Sequence, residues 1–231
     1  MSQKVLIVDD DASTCEMLQT MLHAADIQAL TLTDSGRAVE ILRNQKFDAV
    51  FVDVNMPAPD GMEVTREIRS SQQNQKTPVI MMTGDDDPTV VARGFKAGVN
   101  FFVYEPLIKD RILNLARVTQ SVNQLERRRF HRMAVKLKVE VQWKDDNLEA
   151  ETIDMSLNGM LVRARRTFPV GTQVKVRLFL SSNKAPIAAP GTVARIPSAD
   201  TMGIHLDKID KVQTNQLQEL LLPLIFATAK T

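Results

Sequence analysis

The chain has a single cysteine among its 231 residues, and this scarcity excludes two kinds of stabilisation. One thiol, that of Cys15, can form neither a disulfide framework nor a thiolate metal site. Long hydrophobic runs are also missing, because the most apolar stretch, 220–226, is far below the roughly 20 residues that cross a membrane. The first residues lead directly into an apolar strand pattern and show no signal-peptide features. We therefore expect a cytoplasmic protein with no membrane partner.

An excess of either charge is missing as well, because 29 basic and 28 acidic residues give a net charge of +1. This balance argues against bulk nucleic-acid binding, which usually depends on a strongly basic domain. The basic residues are instead concentrated locally, at about 127–138. With 44% apolar and 25% charged residues over this length, the composition is typical of a globular protein with two domains.

The first half of the chain alternates short apolar runs with longer amphipathic segments. The apolar runs predict five strands, at Val5–Val8, Ala29–Leu32, Ala49–Val52, Val79–Met82 and Phe101–Val103. The amphipathic segments predict helices at about 12–24, 35–45, 61–71 and 88–97, and a long one from about 107. Strands without solvent-face alternation, separated by helices, indicate an α/β fold with a doubly wound parallel sheet covered on both faces.

Polar residues follow the predicted strands at the edge where ligands bind in such sheets. Asp9 and Asp10 come after the first strand, Asp53 after the third and Thr83 after the fourth. Three carboxylates at one edge repel one another unless they share a hard cation such as Mg²⁺. The spacing therefore predicts a cation site.

These residues resemble the landmarks of the receiver domains of bacterial response regulators. The matching segments are Val8-Asp9-Asp10-Asp11, Asp53 to Gly61, Thr83-Gly84 and Ala97-Gly98 through Glu105-Pro106. The resemblance implies a CheY-like, flavodoxin-like fold for a domain at 1–120, with a histidine kinase as a partner. It also implies that Asp53 is the phosphoacceptor and that Thr83 and Phe102 form the switch pair.

The same resemblance implies a set of metal ligands. Asp10 would bind Mg²⁺ directly, and Asp9 would support the metal through water. Asn55 would offer its backbone carbonyl, and Asp53 would complete the set.

One landmark departs from the receiver pattern. The family places a lysine before the proline, where this chain has Glu105. That lysine pairs with the acyl phosphate as charge develops, and its loss costs on the order of 3 kcal/mol in comparable sites. Glutamate cannot replace it and adds a fourth carboxylate. Slow phosphorylation, a phosphorylation-independent domain and a site that only holds metal all remain open, and we expect impaired phosphotransfer.

The last predicted helix of the first half has no Gly or Pro from 107 to 128. We therefore expect a helical linker at 121–127 that continues this helix. Leu115, Val118, Val122 and Leu125 form an apolar stripe that extends past the reach of the first domain. Such a stripe fits either docking onto the second domain or helix pairing between two chains, and we expect a homodimer.

The residue pattern of the second half predicts several short strands followed by a helix. Residues 135–143 alternate apolar and polar side chains, as in a half-buried strand. Further strand patterns at 150–154, 159–163, 174–180, 192–196 and 202–206 suggest a small antiparallel barrel. Residues 209–222 predict a closing helix. These strands and the helix predict a second domain at 128–231. No metal-ligand spacing or nucleophile-base set appears in this half, so we do not expect an enzyme.

Two motifs in this half share one chemistry. They are Arg128-x-x-x-Arg132 and Asp154-x-Ser156-x-x-Gly159. Arginine forks match phosphate oxygens and the O6 and N7 acceptors of guanine. A carboxylate and a hydroxyl accept the guanine N–H donors, and a glycine permits close backbone approach.

Both motifs resemble those of the PilZ family, the bacterial receptors for cyclic di-GMP. The resemblance implies a β-barrel whose ligand contacts are Arg127, Arg128, Arg132, Asp154, Ser156 and Gly159. An arginine directly before the first motif resembles the arrangement that accepts two intercalated nucleotides per chain. The chain is thus interpreted as a bacterial second-messenger effector that acts on an unknown downstream protein. Its alternatives are a phosphorylation-controlled regulator in a phosphorelay and a nucleic-acid-binding regulator using the basic 127–138 segment.

Overall fold

The computed structural model describes residues 3–120, 132–180 and 185–228. The described residues divide into two compact units, one within residues 1–127 and one within residues 128–228. Each unit has its own sheet and its own core. The helical linker expected at 121–127 lies outside the described residues and stays a prediction.

The first unit alternates strands and helices along its whole length. Its strands are β1 Lys4–Val8, β2 Gln28–Leu32, β3 Ala49–Asp53, β4 Val79–Thr83 and β5 Phe101–Tyr104. Its helices are α1 Ala12–His23, α2 Ser35–Asn44, α3 Gly61–Ser70, α4 Pro88–Ala97 and α5 Lys109–Gln120. The strands form one parallel sheet in the order β2-β1-β3-β4-β5. This confirms the doubly wound parallel sheet expected from the sequence.

Burial of the strands and caps on the helices position the edge at which the parallel strands end. Strands β1, β3 and β4 are almost wholly buried, as continuous apolar runs require. An aspartate caps the N-terminus of each of four helices, because its carboxylate accepts the otherwise unsatisfied N–H groups of the first turn. These caps are Asp11, Asp34, Asp60 and Asp87.

The second unit is a closed antiparallel barrel with a C-terminal helix. Its elements are β6 Met133–Ala134, β7 Lys138–Trp143, β8 Asp146–Ser156, β9 Gly159–Ala164, β10 Gln173–Leu178, β11 Ile187–Ser198, β12 Thr201–Leu206 and α6 Lys211–Thr228. The order is β6-β8-β7-β10-β11-β12-β9, and a β8–β9 pairing closes the ring. The small antiparallel barrel with a closing helix is confirmed.

Two elements differ from the sequence expectation. The strand expected at 135–143 is interrupted, because the Thr152 hydroxyl donates to the Val135 carbonyl and accepts from the Leu137 N–H. Both β6 and β7 pair with β8, and in the gap between them these side-chain bonds take the place of ladder bonds to β8. The closing helix, expected at 209–222, continues to Thr228 with Pro223 inside it. A proline removes only its own helical donor and strains one turn, so an apolar helix can continue past it.

Within the described ranges, every helix is too short or too polar to cross a membrane.

Candidate functional sites at a sheet edge and on the barrel

The acidic edge of the first sheet is built by two neighbouring strands. Val8 and Val52 are register partners in β1 and β3, so Asp9 and Asp53 emerge side by side. The Asp9 carboxylate accepts from the Asp11 N–H at 2.9 Å, and Asp53 accepts from the Asn55 N–H at 2.7 Å. Asp9 is only 6% exposed. Two carboxylates are thus held close together and largely out of water.

Burial and like charges disfavour ionisation at this edge. The pKa of Asp9 is raised to about 6, mainly by burial and also by the carboxylates of Asp53, Asp10 and Asp11, while the hydrogen bond from the Asp11 N–H lowers it. Burial also raises the pKa of Asp53, and the charges of Asp10 and Glu105 add to this effect. The edge therefore carries negative charge that a cation would stabilise.

The donor atoms of the expected metal ligands suit Mg²⁺, but the arrangement of their side chains in the structure does not form a metal site. All of them offer oxygen, which is the donor atom of hard cations. Over residues 3–120, 132–180 and 185–228, however, no three His, Cys, Asp or Glu side chains are grouped so that they could hold a metal ion. The assignment of Asp9, Asp10, Asp53 and Asn55 therefore stays a prediction.

The expected switch pair lies inside the domain. Thr83 ends β4, is fully buried, and its hydroxyl accepts from the Asp85 N–H at 3.0 Å. Phe102 on β5 is 1% exposed and meets Phe95 edge-on, with ring centroids 5.1 Å apart. Its ring also lies against Gly94, where an added Cβ would stand 2.5 Å from Cζ. The sequence did not indicate that this glycine makes room for the aromatic ring.

Glu105 lies at the same edge, in the position of the receiver lysine. Its backbone N–H donates to the Thr83 carbonyl at 3.1 Å. Its carboxylate lies over Gly84, where an added Cβ would be 2.8 Å from Oε2. Because the charge of Glu105 raises the pKa of Asp53, the two carboxylates interact electrostatically. The substitution therefore changes the electrostatics of the acidic edge itself.

The second site joins the two arginine and aspartate motifs on the barrel. β6 pairs with β8 so that Ala134 lies opposite Asp154, and this register places Arg132 beside Asp154. Arg132 Nε donates to Asp154 Oδ1 at 2.5 Å, and the side chains are 37% and 25% exposed. Arg132 Nη2 is buried and makes no hydrogen bond to any residue that the structure describes. A strong donor is thus held at the site and left unsatisfied.

The rest of the second motif forms the β8–β9 turn. Ser156 pairs with Gly159, and its hydroxyl lies 2.8 Å from Asn158 Oδ1 and 3.1 Å from the Gly159 carbonyl. An added Cβ at Gly159 would stand 2.7 Å from the Ile204 carbonyl on β12. The glycine is therefore required by strand packing, and Asn158 is a turn partner that the motif pattern did not single out.

Two further arginines, at the start of the first motif, were also expected to contact the nucleotide. Arg127 and Arg128 lie outside the described residues. Of the expected nucleotide contacts, the structure brings Arg132 and Asp154 into direct contact and places Ser156 and Gly159 in the adjoining turn.

Comparison with known families identifies both domains. The response regulator receiver domain model matches residues 5–117, and the PilZ domain model matches residues 126–222. The chain consists of a receiver domain followed by a PilZ domain. PilZ domains bind cyclic di-GMP and receiver domains bind Mg²⁺ in general, so this is a signalling protein with a cyclic di-GMP-binding type of domain.

Individual relatives share about half of the chain. The DNA-binding response regulator MtrA of Mycolicibacterium paratuberculosis is 30% identical over 54% of this chain and 55% of its own length. The CAI-1 autoinducer sensor kinase/phosphatase CqsS of Vibrio cholerae is 31% identical over 48% of this chain and 16% of its own. The signal receiver domain of a Syntrophus aciditrophicus histidine kinase is 25% identical with a TM-score of 0.50, covering 53% of this chain and 94% of that domain. The chain thus spans little more than half of MtrA and far less of CqsS.

Proposed function

We propose that this protein is a cyclic di-GMP effector whose PilZ domain senses the nucleotide and whose divergent receiver domain modulates or relays the signal. The observation that carries the proposal is the contact between Arg132 and Asp154, which brings the two nucleotide motifs together. The effector acts through an unknown downstream protein and is not an enzyme.

The arginine side of the site is prepared for an anion. Nε of Arg132 donates to Asp154, whereas Nη2 is buried and has no hydrogen-bond partner in the described part of the chain. An unsatisfied buried donor costs about 1–3 kcal/mol, and a phosphate oxygen or a guanine acceptor would remove that cost. Arg127 and Arg128 add two further guanidinium groups in the sequence, which suits a ligand with several phosphate charges.

The carboxylate side of the site suits the base. Asp154 is a quarter exposed, so a ligand can reach its carboxylate. A carboxylate accepts two N–H donors, and guanine offers such donors on its Watson–Crick edge. Ser156 lies two residues further along β8 and adds a hydroxyl near the Gly159 turn. Together these groups select guanine over adenine.

Calorimetric titration with cyclic di-GMP tests the proposal. We expect saturable binding to the full chain, with much weaker binding of cyclic di-AMP, which lacks the guanine donors. Binding of neither nucleotide would contradict the proposal. Equal binding of both would show that Asp154 does not read the base.

Within this proposal the receiver domain has a modified phosphorylation site. When bound, Mg²⁺ would neutralise carboxylate and phosphoryl charge, and Asp9, Asp10, Asp53 and Asn55 would hold it. Glu105 places a negative charge where the family has a cation, and it disfavours the further negative charge of a phosphoryl group on Asp53. The receiver is therefore expected to accept phosphate poorly from a histidine kinase.

A phosphorelay regulator is the second candidate, and one observation favours it. Asp53 remains at the end of β3 beside Asp9, with Thr83 buried at the end of the next strand. Rapid transfer of phosphate from a histidine kinase to the unmodified chain would support this candidate. Nucleic-acid binding through 127–138 would instead appear as steeply salt-dependent binding of long DNA or RNA.

Assembly is a separate part of the proposal. The stripe that begins at Leu115 and Val118 predicts helix pairing between two chains, although both of these residues are buried within the receiver unit. The remainder of the stripe, Val122 and Leu125, lies outside the described residues. Light scattering tests the homodimer, and a monomeric mass at high protein concentration would contradict it.

A further inference from the structure

The outer surface of the PilZ barrel carries a hollow that the proposed nucleotide site does not use. It has a volume of about 420 Å³ and lies across β7, β10 and β11. Ligand pockets in proteins occupy roughly 300–1,000 Å³, so the hollow has the size of a binding site. Its one residue from β8, Asn147, lies near the start of that strand, whereas Asp154 lies near the end.

Cross-strand register explains the shape of the hollow. Gln142 pairs with Asn147 on one side and with Lys175 on the other, and Lys175 pairs with Pro190. Residues that are directly opposite on neighbouring strands share one face of a sheet, so these four side chains form a row. Long side chains rise from β7 and β10, while Pro190 is short. This difference in height produces the concavity.

A second row limits the charge of the hollow. Arg177 pairs with Glu140 on β7 and with Ala188 on β11. Arg177 Nη1 donates to Glu140 Oε2 at 2.8 Å, so these two charges neutralise each other. Lys175 is exposed, and no hydrogen bond or ion pair within the described ranges engages its ammonium group. The hollow therefore presents one uncompensated positive charge beside a floor of small apolar side chains.

We infer that this hollow binds a short acidic segment of a partner protein, with a carboxylate at Lys175 and a small aliphatic side chain over Ala188 and Pro190. Charge complementarity selects the acidic partner, because Lys175 is the cation left without a counter-charge. The Asn147 amide adds a donor and an acceptor for the peptide backbone. β10 and β11 are each paired on both sides, so the partner cannot bind by adding a strand to the sheet. It must bind through contacts with side chains.

Fluorescence anisotropy with a defined peptide tests this site on the full chain. The probe is a fluorescein-labelled, end-capped Ser-Glu-Leu-Glu-Ala-Ser peptide at low ionic strength. We expect Lys175→Glu to weaken binding at least tenfold, and Ala188→Leu to weaken it by filling the hollow. Lys136→Glu is the matched control, because Lys136 is an exposed lysine of the same barrel that does not line the hollow. It should retain most of the affinity.

Three results would overturn the inference. The first is no binding of the peptide to the unmodified chain at millimolar protein, and the second is equal binding by Lys175→Glu. The third is equal binding of a peptide with Gln in place of Glu, since the negative charge of the peptide would then not contribute to binding. Cyclic di-GMP titration of the same variants separates this site from the proposed nucleotide site, because Lys175→Glu should leave nucleotide affinity unchanged. The milder Lys175→Gln provides a second comparison if charge reversal disturbs the barrel.

Discussion

The two candidate sites of this chain handle negative charge in opposite ways. At the receiver edge, the charges that shift the pKa values of Asp9 and Asp53 are all carboxylates. On the barrel, Asp154 is paired with Arg132 at 2.5 Å. At the receiver edge only a cation from outside the chain would offset these charges, whereas the barrel site already contains the Arg132 guanidinium. A ligand at the barrel must share or replace an existing ion pair.

Glu105 offers the largest test of this contrast. Glu105→Lys supplies the missing cation, and we expect acetyl phosphate with Mg²⁺ to label Asp53 about 100-fold faster, since one such contact is worth roughly 3 kcal/mol. Glu105→Gln is the control, because it removes the negative charge without adding a positive one, and it should give a smaller gain. Intact-mass spectrometry over time measures the labelling. Rapid stoichiometric labelling of the unmodified chain would show that another group replaces the lysine.

Arg132 gives the next largest effect, on the barrel. Arg132→Ala removes a charge-assisted contact worth about 1.5–3 kcal/mol, so cyclic di-GMP affinity should fall about 10- to 100-fold by calorimetry. Arg163→Ala is the matched control, because Arg163 also forms an ion pair on the barrel, with Asp200 at 3.4 Å, and is largely exposed. Arg128→Ala should have a similar effect to Arg132→Ala, and Asp154→Ala should weaken guanine recognition without unfolding the barrel. Unchanged affinity in all three motif variants would contradict the site.

Asp9 tests how much the buried carboxylate lowers the free energy of unfolding of the receiver domain. The folded-state pKa of Asp9 is raised from 3.8 to about 6, so between these values the folded chain binds more protons than the unfolded chain. The free energy of unfolding should therefore fall as pH rises through this window, by up to about 3 kcal/mol. Asp9→Asn removes this loss and should raise the receiver melting temperature at pH 7 in EDTA. A variant with the same or a lower melting temperature at pH 7 would mean that burial of this carboxylate is compensated.

Arg127 provides the smallest test, because it concerns stoichiometry rather than affinity. We expect two cyclic di-GMP molecules per chain, since a stacked pair of nucleotides needs an additional guanidinium group beside the motif. Arg127→Leu should reduce the calorimetric stoichiometry to one. One nucleotide per unmodified chain would reject this expectation.

Much of the receiver fold could be predicted, because its signals are local. Buried parallel strands are continuous apolar runs, and β1, β3 and β4 lie within one residue of the predicted bounds. The acidic edge could also be predicted, since parallel strands end at the same edge. The burial of Asp9 and the contact of Glu105 with Gly84 could not, because both depend on how loops from different strands pack.

The barrel was less predictable because its pairings are long-range. The alternation at 135–143 predicted one strand, but the Thr152 side chain, from a strand further along the chain, interrupts it. The hollow beside Lys175 depends on the register of three strands, so the local sequence pattern does not predict it.

The sequence by itself determined the two domain types, their order and the residue chemistry of each site. Arginines, carboxylates and a hydroxyl at set spacings are sufficient for that, because each residue type carries its donors and acceptors wherever it lies. Only the tertiary structure decided the contacts themselves: the Arg132 guanidinium with the Asp154 carboxylate, and the Glu105 carboxylate over Gly84. Strand register and burial arise from contacts between distant segments, and they set the pairings and the pKa values at the two candidate sites.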